Sequence, residues 1–170
     1  MIYLKYLLIA LLVLVVSLSA VPALAAPIES VQVTATPTLV SVSLSHADLD
    51  FGAVALDQES EHATAVVVTN NGSVVADIEM KGSDAECSDP SANTWTLSAV
   101  ENGVNQFMLK ISKDSNWTAG VINLSTGYAA LQAALGVSVG QSFQTKLKMP
   151  TATSVYGEHA ARIYVRATEH

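Results

Sequence analysis

The chain has 170 residues, a formal net charge of −7, half of its residues hydrophobic, and one cysteine. An acidic balance of this kind repels nucleic acid and anionic lipid headgroups. A single cysteine excludes an intramolecular disulfide, so stability must come from the core or from assembly.

The first residues read as an export signal. Lys5 supplies a short positive region, Leu7 to Val16 is an unbroken apolar run, and Ala23-Leu24-Ala25 is a small-x-small cleavage site. Pro27 disfavours cutting one bond later, which places the new terminus at Ala26. The apolar run is short for a membrane-spanning helix, which needs about 20 residues, so membrane contact is expected only before cleavage. Cleavage removes Lys5 and no acid, leaving a mature chain of charge −8. The organisation expected is residues 1–25 as signal peptide, 26–45 as an N-terminal strand segment, and 46–170 as the folded domain.

Beyond the signal, the dominant pattern alternates apolar and polar residues, the mark of half-buried strands. Val31 to Ser45 alternates and is interrupted by Pro37, which predicts an edge strand or two strands joined by a kink. Thr64 to Thr69 is β-branched and runs into Asn70-Asn71-Gly72, which predicts a hairpin turn to the alternating stretch Val74–Lys81. Trp95 and Leu97 mark a short strand. Phe107–Ser112, Phe143–Met149 and Ala161–Thr168 alternate, with Pro150 ending the second. The predicted core comprises Phe51, Ile78, Phe107, Leu109, Phe143, Leu147 and Ile163. Tyr128 to Leu135 is rich in Ala and Leu, and predicts a helix of about two turns ended by Gly136. About eight strands and one short helix predict an all-β, two-sheet sandwich.

Asp50-Phe51-Gly52-Ala53-Val54, then Ala65 to Ser73, then Ile78 to Asp84, resemble the paired strands of immunoglobulin-like sandwich modules in bacterial and archaeal surface proteins. The resemblance covers about Leu44 to Asp84. It implies an immunoglobulin-like fold, with a jelly-roll-like sandwich as the alternative, and an exported structural or adhesive role. A fainter likeness is to secreted fibre subunits that open with a free N-terminal strand.

Chemistry-bearing motifs are few. Gly136-Val-Ser138-Val-Gly140 matches the G-x-S-x-G nucleophile elbow, which needs a strand before it and a helix after it. Here the order is reversed, so a non-catalytic connection is expected. His46, His62, His159 and His170 lack metal-ligand spacing, and exposed or structural roles are expected. The carboxylates Asp57, Glu59 and Glu61, and Asp84, Glu86 and Asp89, offer oxygen ligands for calcium, the one cofactor the sequence allows, but no EF-hand loop is present. A solvated acidic loop is the plainer reading. Asn71, Asn116 and Asn123 head N-x-S/T sequons, which matter in a glycosylating host. Trp95, Trp117, Tyr156 and Tyr164 are candidates for a sugar-stacking platform, with Trp117 in a polar loop the best ligand-binding candidate. Cys87 lies in a polar stretch and is expected to be a free thiol or an intermolecular partner.

The function expected is a non-enzymatic extracellular structural protein, a subunit of a self-assembling surface fibre or layer. The alternative is a monomeric secreted adhesin or carbohydrate-binding module. Self-association is expected through the N-terminal segment, with Val31, Val33 and Ala35 as its apolar face and no nucleic-acid partner.

Overall fold

Twelve short strands account for the regular structure in a computed structural model that describes residues 34–89 and 94–170. The chain divides into Met1–Thr36 and Pro37–His170. Of the first unit only Thr34–Thr36 are described, as exposed residues without regular structure. The signal peptide, its cleavage site, Val31 and Val33 lie outside the described residues. Among the described residues, no helix is long and apolar enough to cross a membrane.

The strands are β1 (Val42–Leu44), β2 (Glu59–Glu61), β3 (Val66–Asn70), β4 (Ala76–Gly82), β5 (Glu86–Cys87), β6 (Thr96–Leu97), β7 (Gln106–Ser112), β8 (Ile122–Asn123), β9 (Ala129–Leu135), β10 (Gly140–Lys148), β11 (His159–Ala160) and β12 (Ile163–Glu169). One sheet runs β1-β3-β10-β7-β6, with β2 also on β10 and β8 also on β7. A second runs β12-β4-β9, and β5 with β11 forms a two-stranded ribbon. All pairings are antiparallel except β6 with β7.

The sheets share one core. Val66 and Val68 of β3, Phe107, Leu109 and Ile111 of β7 and Phe143 of β10 meet Ala76, Ile78 and Met80 of β4 and Leu131 and Leu135 of β9. The chain is therefore an all-β sandwich, as the alternation predicted. Four of the seven predicted core residues, Ile78, Phe107, Leu109 and Phe143, are buried, and Leu147 and Ile163 pack against them half-buried. Phe51 differs. It is half-buried outside the core and meets the His62 ring edge-on at 5.6 Å.

Two expectations are corrected. Residues 129–135 are strand β9 and not a helix. An isolated helix of two turns is marginal in water, whereas β4 offers a full row of backbone partners on its second edge. Leu131 and Leu135 are both buried, four residues apart, as residues on one face of a strand are. An i, i+4 spacing is common to one face of a strand and one face of a helix, so by itself it does not tell them apart.

The second correction concerns Asn70-Asn71-Gly72. This is not a hairpin, because β3 and β4 belong to different sheets. The fully buried Asn70 side chain turns the chain across the sandwich. Its Nδ2 donates to the carbonyls of Val74 and Leu135, each at 2.9 Å, and its Oδ1 accepts from the Gly72 N–H at 2.9 Å. Gly72 is required by close approach, since a Cβ there would lie 2.3 Å from the Leu39 carbonyl oxygen.

Candidate functional site

The first acidic group sits beside lysines. Glu59 and Glu61 flank Ser60 on β2, which pairs with Lys146–Lys148 of β10. Glu59 bonds Lys110 from the next strand, and Glu61 lies 3.9 Å from Lys146. Asp57, at a left-handed φ of 62°, accepts from the Asn102 amide at 2.8 Å. In the second group, Asp84 accepts the Leu97 N–H at 2.8 Å, Glu86 lies on β5, and Asp89 is exposed. Among the described residues no three His, Cys, Asp or Glu side chains converge to hold a metal.

The Lys110 hydrogen bond holds the Glu59 carboxyl below its ordinary value of 4.5, against a smaller opposing effect of burial. Asp114 is also lowered, first by the Ser112 hydroxyl and then, against burial, by the Trp117 and Ala119 backbone N–H groups. A depressed folded value means that the unfolded chain takes up the proton first as pH falls. The stability due to Glu59 is whole above about pH 4.5 and is lost as pH falls through the folded value. Thermal midpoints are therefore expected to drop below about pH 4.5, and Glu59→Gln is expected to flatten that acid limb. An acid limb of unchanged slope in the variant would show that the pair contributes nothing.

The four aromatic candidates do not form one platform. Trp117, at φ 56°, is half-buried with Lys146 Nζ 4.2 Å from its ring centroid, so one face of the ring is covered. Trp95 is buried, donates to Thr153 Oγ1 at 3.1 Å, and stacks on His159 at 3.7 Å between centroids. Trp95 and the exposed Tyr156 line a groove of about 320 Å³ with Leu56, Met149 and Val155. Cys87, half-buried, stands opposite His159 in the β5–β11 ribbon. Tyr164 lies on the outer face of β12.

That outer face holds a cluster the sequence reading missed. Lys81 Nζ lies 5.0 Å from the Tyr128 ring centroid and 5.2 Å from that of Tyr164. The Arg166 guanidinium lies 3.9 Å from the Tyr128 centroid and bonds Glu79 at 2.7 Å. The β4 and β12 members were legible as outward positions of alternating strands. Tyr128 was not, because it was assigned to a helix.

The remaining motifs fall on surface turns and strands. Ser138 occupies the β9–β10 turn at φ 61°, where the Val139 N–H bonds the Gly136 carbonyl. It is preceded by a strand, not by a helix, and a second strand follows. The nucleophile-elbow geometry is therefore absent. Of the sequon asparagines, Asn71 donates to Ser43 and Asn123 to the Ala99 carbonyl, while Asn116 is exposed in a turn. His46 bonds the Ser45 hydroxyl, His62 the backbone of Thr64, and His170 the Asp77 carboxylate.

The sheet edges are the other surface of interest. Val40 and Val42 pack half-buried against the core, and Leu39 and Ser73 exchange hydrogen bonds, so the 39–45 stretch is held by its own domain. Across the sandwich, no strand among the described residues pairs with the second edge of β12. Its inward residues Ile163, Val165 and Ala167 are only half-buried, beside fully buried Ile78 and Met80 on β4. Ala35 is exposed and belongs to neither edge.

No known family model matches the chain, and a search of curated proteins finds no significant match.

Proposed function

We propose that this protein is an exported, non-enzymatic structural subunit that assembles with copies of itself into an extracellular fibre or layer. The observation that carries this reading is a surplus of strand-forming chain. The second unit begins at Pro37 and fills the outer edge of β3 with its own Val42–Leu44. Val31-Gln-Val-Thr-Ala-Thr36 still alternates apolar and polar residues and carries no charge. Such a segment recruits other strands unless it is covered, and adding it to a neighbour's sheet turns that liability into assembly. The export signal, the acidic charge and the resemblance to surface-exposed sandwich modules support the same reading.

The test compares chains 26–170 and 37–170 by size-exclusion chromatography and negative-stain microscopy. The longer chain is expected to form high-mass assemblies, and the shorter one to remain a folded monomer. A monomeric 26–170 chain would overturn the reading. So would assemblies that persist in the 37–170 chain.

A further inference from the structure

We infer that the acceptor for the N-terminal segment is the open edge of β12 in a second copy of this chain, with Val31, Val33 and Ala35 covering Ile163, Val165 and Ala167. This rests on the self-assembly reading above and specifies its contact.

The strands β2, β5, β6, β8 and β11 are only two or three residues long and offer too short a ladder, which leaves β1, β9 and β12 to compare. β1 is three residues long, and Leu44 is already turned outward at its end. β9 is blunted. Its register against β4 shifts, Ala134 adopts a φ of 52°, and the Ala134 N–H is tied to Asp77 Oδ1 at 2.8 Å. Bulges of this kind disrupt the ladder that an added strand must continue. β12 is the regular edge, in register with β4 over all seven residues from Ile163↔Gly82 to Glu169↔Ala76. Among the described residues, apolar cover is incomplete there. On a completed sheet, inward residues are buried as Ile78 and Met80 are, yet Ile163, Val165 and Ala167 keep part of their surface in water. Three inward positions spaced by two match Val31, Val33 and Ala35, spaced by two.

The place where the chain leaves the domain favours a second copy over self-cover. Leu39 bonds the Ser73 hydroxyl, and the His170 N–H bonds the Val75 carbonyl, so β1 begins at the end of the sandwich where β12 stops. Chain running back from Leu39 heads off that end. To return along its own β12 it must reverse direction within the few residues before Leu39. Ala35 is four residues from Leu39, a reach of at most about 14 Å.

The experiment uses the mature 26–170 chain. Hydrogen exchange compares assembled protein with the 37–170 monomer, and amides of Ile163–Glu169 are expected to slow at least tenfold on assembly. In parallel, a benzophenone side chain replaces Thr34, or Gln32 in a second variant, both on the polar side of the segment. Each probe-bearing chain is co-assembled with an isotopically heavy chain that lacks the probe. Light-to-heavy cross-links onto residues 163–169 are expected. Assemblies whose slowed amides and cross-links fall on β1 or β9 would overturn this edge and leave the self-assembly reading standing. Cross-links confined to single light chains would mean that the segment covers its own domain, which also overturns it. Failure of the unmodified chain to assemble would remove both.

Discussion

Asn70→Ala is expected to lower folding stability by about 3–5 kcal/mol, since two buried groups and one part-buried group lose their partners at about 1–3 kcal/mol each. The carbonyls of Val74 and Leu135 and the N–H of Gly72 all bond this one side chain, which has no solvent exposure. Asn70→Asp should be at least as damaging, because it removes both N–H donors and sets a carboxylate against two carbonyl oxygens. Asn71→Ala is the control. Its exposed amide makes one contact, to Ser43 Oγ at 2.7 Å, and its loss should change stability by less than about 1 kcal/mol. Urea midpoints of the three variants decide the matter. An Asn70→Ala midpoint equal to that of the Asn71→Ala control would mean that the turn holds its shape without the amide.

Phe107→Ala is expected to cost about 3–5 kcal/mol, the range for truncating a buried aromatic ring. Phe107 is 1% exposed and heads the largest fully buried side chains. It lies on β7, a strand with neighbours on both sides, so the walls of the resulting cavity cannot collapse freely. Small domains are stable by only about 5–15 kcal/mol, so this change alone removes a large share. Equilibrium urea unfolding measures it. A loss below about 1 kcal/mol would mean that the site repacks around the missing ring.

Much of the fold was legible because alternation has one physical cause, a strand with one wet face. β4 reads buried and half-buried in strict turn, as Ile78 against Asp77 and Glu79 implied. What could not be read were features set by distant chain. β2 carries two glutamates around a serine and looks like a loop until the β10 lysines are placed beside it. The two-residue strands β5, β6, β8 and β11 are too short to show a period. Asn70-Asn71-Gly72 looked like a hairpin because its local chemistry suits one. The choice between hairpin and crossing was made by the Leu135 carbonyl, 65 residues away. Trp117 looked available for a ligand because Lys146, the cation that covers its ring, is remote in sequence. The candidate edge was half legible. Its donor segment stands out in the sequence, but which strand lies open depends on sheet order.

The pairing of β4 with β12 also bears on how fast the unit can form. Arg166 reaches Glu79 across 87 residues of sequence, and the antiparallel register around them runs from a separation of 81 residues at Ile163↔Gly82 to 93 at Glu169↔Ala76. Closing so long a loop must precede the reward of the contacts it permits, and β-rich topologies of this kind fold in milliseconds to seconds. Until β12 docks, β4 lacks one of its two neighbours, and the acceptor edge inferred above does not yet exist. In an assembly built on that edge, subunit addition would follow this closure. A chain caught before it could offer its N-terminal segment but not receive one on β12.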